Sequence, residues 1–377
     1  MPGNINVLLV SGSRRWDRAV RAAAAEIGVG AIDAPASARD ALSMLVGGQS
    51  YSHLLVEPAC AGELMGDFVD LTAGEAGVGT ELLLLGVSEQ RPPRVAVIPS
   101  ANRRSVARAL SPRPSHADDG AAVEPGEALS DCRIETRYQP IVCIKDGTSV
   151  ALEALARLNH PARGTLAPDR FVPQLEAAGL AAELTDAVAS RAFADLSAPF
   201  LIGHGLVLAL NFPLDVLLVP EAMERLEARR SEAGLEAERI GIELTESRPV
   251  NDIAGLRRAT ERLRAAGYSL AIDDVGPTVP HHEAMLDLPF TAMKLDKTVV
   301  QESATCRKTL QFVRRMIRAA KARGLRVVAE GVEDPATWKR MRALGADEAQ
   351  GFLVSRPLPP AALPIWFESW REQARLL

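Results

Sequence analysis

Cysteine and histidine are scarce in this chain. Four cysteines, at 60, 132, 143 and 306, stand among 377 residues with no C-x-x-C pair, and only six histidines accompany them. A zinc cage or disulfide framework therefore lacks material, and the usage suits a reducing cytoplasm, the expected location. Long apolar runs are missing too. Stretches such as Leu82 to Leu85 and Leu206 to Leu210 fall far short of the about 18 residues that span a bilayer. The amino terminus enters a strand-like run, Ile5 to Val10, without the basic and long apolar regions of a secretory signal. No membrane partner and no export are expected. Excess positive charge is lacking as well: 43 Lys and Arg against 48 Asp and Glu leave a formal charge of −5. Binding to nucleic acid in bulk is therefore not expected.

What remains is the composition of an ordinary globular protein, 47% apolar and 24% charged. At about 150 residues per domain the length suggests two or three domains, or one α/β barrel of about 250 residues with a small partner. From Asn4 to about Leu110, short apolar runs alternate with helix-like segments, the pattern of an open parallel sheet with crossover helices. Strands are expected at Val7 to Val10, around Gly30, and at Leu54 to Val56, Leu82 to Leu85 and Val95 to Ile98. Helices are expected at Arg18 to Ile27 and Ala38 to Val46. The stretch from Ser111 to Gly120 breaks all periodicity with proline, serine and charge, so residues 111–130 read as a linker. Residues 1–110 are then the first domain and 131–377 the second.

In the second domain most apolar runs end in a carboxylate or carboxamide. Ser149 to Leu152 ends at Glu153, Val207 to Leu210 at Asn211, Ile240 to Ile242 at Glu243, Leu270 to Ile272 at Asp273 and Asp274, and Val327 to Ala329 at Glu330. Thr291 to Met293 ends instead at Lys294, with Asp296 just beyond. Helix-like segments separate these runs: Glu176 to Leu196, Leu214 to Ala233, Ile253 to Ala266, Leu310 to Ala322 and Pro335 to Leu344. Such alternation is that of a (β/α)8 barrel, whose strand ends converge on one mouth. The mouth would hold Glu153, Asn211, Glu243, Asp273, Asp274, Glu330 and Glu333. Six carboxylates share a cleft only if cations neutralise them or some take up protons. All-oxygen ligand sets suit Mg²⁺ or Mn²⁺, and a two-metal phosphoester hydrolase follows, with Lys294 as a fixed positive charge.

These residues stand within a longer series: Tyr138-Gln139-Pro140-Ile141-Val142, Glu153-Ala154-Leu155, Arg157, His160-Pro161, Phe171-Val172-Pro173, Asn211, Glu243-Leu244-Thr245-Glu246-Ser247 and Asp273-Asp274. Lys294-Leu295-Asp296, Ala329-Glu330-Gly331-Val332-Glu333, Gln350-Gly351-Phe352 and Ser355-Arg356-Pro357-Leu358-Pro359 complete it. From about Tyr138 to Pro359 the chain resembles the EAL-type cyclic-di-GMP phosphodiesterases. The resemblance implies a TIM-type barrel that opens cyclic di-GMP to linear pGpG with two Mg²⁺ or Mn²⁺ ions. It implies that Glu153, Asn211, Glu243 and Asp273 bind one cation and that Asp273 and Asp274 serve a second. Lys294, Glu330 and Glu333 would carry the catalysis, Lys294 and Glu330 by positioning or activating the water. Arg157 would meet a substrate phosphate, with Gln139, Leu155 and Gln350 also on the substrate. Glu246 would brace the loop after Asp274, and a homodimer is implied.

That loop departs from the family pattern Asp-Asp-Phe-Gly-Thr-Gly: Asp273-Asp274 leads into Val275-Gly276-Pro277-Thr278-Val279-Pro280-His281-His282. Two prolines stiffen it and one glycine is gone. A cyclic-di-GMP effector that turns the dinucleotide over slowly or not at all is therefore the second reading, and a purely structural protein the third. His281 and His282, adjacent in a loop, read as solvent-exposed, and Trp366 and Trp370, four apart on a terminal helix, as packing residues. Residues 1–110 resemble a response-regulator receiver of flavodoxin-like, doubly wound fold. Ser11-Gly12-Ser13 stands where that family has an acidic pair, Glu57 in place of the phosphorylated aspartate, and Ile98-Pro99 in place of Lys-Pro. Such a pseudo-receiver would serve dimerisation or docking of a partner protein. Glu57 is either a permanent mimic of phosphoaspartate or a plain surface acid.

Overall fold

The computed structural model describes residues 5–27, 29–46, 51–72, 80–86, 96–110, 126, 129, 133–160, 164–245, 252–277 and 285–377. The chain divides into two compact units, Met1–Val123 with His160–Ala167, and Glu124–Asn159 with Pro168–Leu377.

The first unit holds strands β1 (Asn6–Val10), β2 (Ala31–Asp33), β3 (His53–Val56), β4 (Glu81–Leu85) and β5 (Ala96–Ile98). They form one parallel sheet in the order β2-β1-β3-β4-β5, the flavodoxin-like order. Four residues of β1, Val7 to Val10, and all four of β3 are buried. A parallel sheet covered by helices on both faces requires such continuous apolar strands. The helices Arg14–Ile27 and Arg103–Leu110 pack Trp16, Val20, Val106 and Leu110 against Val7, Leu9, Leu55 and Leu83.

The second unit opens with a hairpin, β6 (Ile134–Cys143) and β7 (Ser149–His160). Its turn is made by Asp146, whose carboxylate accepts from Thr148 N at 2.9 Å, and by Gly147 at φ 74°, a conformation that suits glycine. A short strand, β8 (Gly164–Leu166), stands outside the ring that follows. The ring continues through β9 (Val207–Pro213), β10 (Ile240–Thr245), β11 (Ser269–Val275), β12 (Ala292–Leu295), β13 (Arg326–Ala329) and β14 (Glu348–Ala349). Neighbours run β6-β14-β13-β12-β11-β10-β9-β7, and the β6–β7 pairing closes eight strands into a barrel. Seven strands are parallel. The tight hairpin forces β6 antiparallel to both β7 and β14, a detail that the apolar run lengths leave open.

Helices Ala181–Leu196, Pro220–Glu232, Ile253–Ala265, Arg307–Ala322 and Pro335–Leu344 connect successive barrel strands. Two expected helices are broken. The segment from Glu176 to Leu196 is interrupted at Gly179, at φ 75°, and that from Leu214 to Ala233 splits where Pro220 starts a new helix. Glycine in a left-handed conformation and proline without an N–H both end a helical hydrogen-bond ladder. The Trp366 and Trp370 rings are buried and stacked at 6.0 Å, as packing residues.

Candidate active site

Side chains alternate across a strand, and the inward sets of the barrel are legible from the pairing. Ala209 and Asn211 on β9, Gly241 and Glu243 on β10, Ala271 and Asp273 on β11, and Ala292 and Lys294 on β12 share one parity, with Glu243 opposite Asn211 on one side and Ala271 on the other. Small residues fill the lower layer, and at Gly241 an added Cβ would lie 3.0 Å from Ser269 Oγ. Ile141, Ala151 and Val328 pack together. The long polar residues stand one step further along, at the carboxyl ends of the strands, where the barrel opens.

Lys294 is the centre of this layer. Its side chain is 1% exposed, and Nζ lies 2.7 Å from Glu243 Oε2, 2.8 Å from Glu330 Oε1, 3.1 Å from Asp273 Oδ1 and 3.4 Å from Glu153 Oε2. Asn211 Nδ2 donates to Glu153 Oε1 at 2.8 Å and Gln350 Nε2 to Glu153 Oε2 at 2.6 Å. Gln350 Nε2 also reaches Gln139 Oε1 at 3.0 Å, and Gln139 Nε2 donates to the Ser355 carbonyl. One network thus joins residues on or immediately after all eight strands of the barrel, distant in sequence. Asp274 sits at φ 51°, the positive-φ exception among the described non-glycine residues. Strain of this kind costs about 1–3 kcal/mol and collects at functional sites. Oxygen atoms of Asp273, Asp274 and Glu330 lie within 4.8 Å of one another.

The electrostatics follow from one ammonium among several buried carboxylates. Burial pushes the Glu243 carboxyl well above its usual range against the pull of Lys294, with Glu153 and Asp273 adding to the rise. Burial likewise raises Asp273, lifts Glu330 from 4.5 to about 8, and lifts Asp274 from 3.8 to about 6 with repulsion from Asp273. At Glu153 burial is outweighed by Lys294 and by the bonds from Gln350 and Asn211, which hold it below its usual value. For Lys294 desolvation is overcome by Asp273, Glu153, Glu243 and Glu330, which hold it firmly charged. The cluster therefore carries more negative potential than its lysine neutralises. Gln350 Oε1 is buried without a hydrogen-bond partner, an exposed cost in a low-dielectric site. Hard oxygen donors and an orphaned carbonyl oxygen match what Mg²⁺ or Mn²⁺ takes as ligands.

Other expected residues lie differently. Glu333 is exposed, and none of its contacts among the described residues ties it to the cluster. Arg157 is buried on β7 and donates to the Ala156 carbonyl at 2.9 Å. Asp296 caps the helix Lys297–Glu302 by accepting from Thr298 N at 2.9 Å. Glu246, Thr278 to Pro280, His281 and His282 lie outside the described residues. Leu155 lines a cavity of about 370 Å³ beside Asn211, with Pro168, Val172, Pro173, Leu184 and Thr245. Sequence reasoning placed Leu155 on the substrate but gave Pro168, Leu184 and Thr245 no role, although Phe171-Val172-Pro173 marked their neighbourhood. Also unforeseen is Asp195, which accepts from Tyr138 OH at 2.7 Å and from Thr136 Oγ1 at 3.0 Å and so anchors β6 next to Gln139.

Residues 124–357 match the family model described as the EAL domain. The cyclic di-GMP phosphodiesterase NbdA of Pseudomonas aeruginosa is 36% identical over 249 residues, which is 66% of this chain and 32% of that protein. The cyclic di-GMP phosphodiesterase RocR of the same organism is 31% identical over 246 residues, 65% of this chain and 61% of that protein. The chain thus spans about a third of NbdA and under two thirds of RocR. A solved structure described as PaMucR phosphodiesterase in complex with c-di-GMP aligns with TM-score 0.60 at 27% identity, covering 63% of this chain and 97% of that one.

Proposed function

Because the chain belongs to the EAL-domain family, we propose that its second unit hydrolyses cyclic di-GMP to linear pGpG with Mg²⁺ or Mn²⁺. The observation that carries this reading is the buried Lys294, bonded at once to Glu153, Glu243, Asp273 and Glu330 at a barrel mouth. Glu153, Asn211, Glu243 and Asp273 would hold one cation, and Asp273 with Asp274 a second. Bound there, two cations polarise a phosphate, make water a nucleophile at neutral pH and steady the leaving oxygen. Glu330 would take the proton of the attacking water, while Lys294 Nζ fixes its Oε1. Gln350 and Gln139 orient Glu153, Leu155 walls the cavity beside Asn211, and Arg157 meets a phosphate. Glu333 enters this scheme only through the motif it belongs to.

The first unit supports a receiver-like reading. Its strand order is flavodoxin-like, and at the carboxyl ends of β1 and β3 Ser11 Oγ donates to Glu57 Oε2 at 2.7 Å, where a receiver would keep its phosphorylation chemistry. Such a unit would serve homodimerisation or the docking of a partner protein. A second reading of the whole, an effector that binds cyclic di-GMP with little or no turnover, is favoured by Pro277 after Gly276 in the loop that leaves Asp274.

One experiment separates these readings: purified protein is incubated with cyclic di-GMP and Mn²⁺, and binding and pGpG formation are both followed. The wild type is expected to form pGpG and Glu153→Ala to lose at least about a hundredfold in rate. Tight binding without product would leave the effector, and absence of both would leave a structural role.

A further inference from the structure

We propose that the outer face of the helix Arg307–Ala322 adsorbs the protein onto an anionic lipid surface. Between Arg307 and Arg326 the sequence places eight basic residues and no acidic one, in a chain whose formal charge is −5. The helix buries Thr309, Val313, Met316, Ile317 and Ala320 against the barrel and leaves Arg307, Lys308, Arg314, Arg315 and Arg318 exposed. Its carboxyl-terminal end is neutralised locally, since Lys321 pairs with Asp347, Arg323 with Asp287 and Arg326 with Glu348. Towards the amino-terminal end the pattern changes. Arg307, Lys308, Arg314 and Arg318 make no ion pair among the described residues, and Arg315 lies over the Phe312 ring at 5.6 Å.

This arrangement costs the helix stability. Arg307 and Lys308 occupy the first turn, where the macrodipole disfavours cations, and Arg314 and Arg318 are like charges one turn apart. A local rule broken twice, with only the bond from Arg318 Nε to the Arg314 carbonyl at 3.1 Å in return, points to a partner outside the fold. The form of the face selects that partner. It is the convex side of one helix, whereas the clefts around Asn211, Phe212 and Arg229 are lined by other elements. Among the described residues the exposed large apolar side chains Phe200, Ile202, Val219 and Leu376 are elsewhere, so the face has no groove for a peptide, and its half-buried Phe312 ring is occupied by Arg315 rather than open to a nucleobase. Cations spread over about 16 Å of helix fit a flat, dense and laterally mobile layer of anionic headgroups. Each basic side chain at such a surface strengthens binding about fivefold. Adsorption of this kind needs no spanning segment, and no described helix is long and apolar enough to cross a membrane. The inference is independent of the proposed hydrolysis.

The test is vesicle flotation of the full chain with phosphatidylcholine alone or with about one third phosphatidylglycerol, at about 0.05 M and about 0.5 M salt. The wild type is expected to float with the anionic vesicles at low salt only. Arg314→Glu with Arg318→Glu is expected to bind at least about tenfold more weakly. A matched reversal on other exposed positions, Arg225→Glu with Arg371→Glu, is expected to bind like the wild type. Arg307→Gln with Lys308→Gln gives a milder variant, expected to weaken binding in the same direction. Failure of the wild type to float, undiminished binding by the Arg314/Arg318 variant, or equal loss in the matched control would each overturn the proposal. Salt-sensitive binding to duplex DNA without flotation would transfer the face to nucleic acid. A change of oligomeric state in the Arg314/Arg318 variant, again without flotation of the wild type, would transfer it to a second copy of the chain.

Discussion

Lys294 brings one positive charge into a space that Glu153, Glu243, Asp273 and Glu330 share, and the unbalanced remainder makes the site sensitive to pH. Glu330 titrates near 8 rather than 4.5, and Asp274 near 6 rather than 3.8, chiefly through burial. The folded state therefore keeps protons that the unfolded chain has already lost, so these groups stabilise at low pH and that contribution fades as pH rises through about 6 and then about 8. A cation needs the same oxygens deprotonated, so its affinity changes in the opposite sense. Titration calorimetry with Mn²⁺ is expected to show tighter binding at pH 8 than at pH 6, by up to about tenfold per pH unit for each proton displaced, with proton release to the buffer. Metal-free protein is expected to melt lower at pH 8 than at pH 6, and Mn²⁺ to oppose that loss; a flat affinity across this range would contradict the assignment. The residue types were legible in the sequence, because a carboxylate closing so many apolar runs has few structural uses. The exposure of Glu333 was not, since its motif neighbour Glu330 turns inward from only three positions away.

At the scale of elements, the site depends on how the chain leaves each strand. Glu330 and Gln350 are each followed by glycine, at φ 61° for Gly331 and φ 153° for Gly351. A Cβ on Gly351 would fall 2.3 Å from Val332 N and 2.4 Å from Val332 O, and backbone cannot give way as a flexible side chain can. Gly351→Ala is expected to destabilise the protein by about 2–4 kcal/mol and to shift Gln350 away from Glu153. Denaturant melts and the rate of pGpG formation would both register this; an unchanged melt would show that the backbone relaxes freely there. The strands themselves were readable from their apolar runs, as was the helix Pro335–Leu344, which Asp334 caps by accepting from Ala336 and Thr337 N. The breaks at Gly179 and Pro220 were marked by residue type yet overridden by helical apolar spacing on either side.

Across the whole molecule, the first unit is a parallel sheet whose strand ends bring Ser11 to Glu57 by a hydrogen bond. With no aspartate after β3 and no acidic pair after β1, a small phosphodonor such as acetyl phosphate is expected to leave the chain unmodified; stable aspartyl phosphorylation in intact-mass spectra would sink the pseudo-receiver reading. The order of motifs and the alternation of apolar runs determined the barrel, the family and the polar residue that closes each strand. Those signals are local, arising from side-chain period and backbone preference within a few residues. Only the tertiary structure decided that β6 runs against its neighbours, that Lys294 stands under four carboxylates, that Gln350 Oε1 lacks a partner, and that Arg307, Lys308, Arg314 and Arg318 make no ion pair among the described residues. Each is a matter of distance between residues remote in sequence, and it is ring closure that sets those distances.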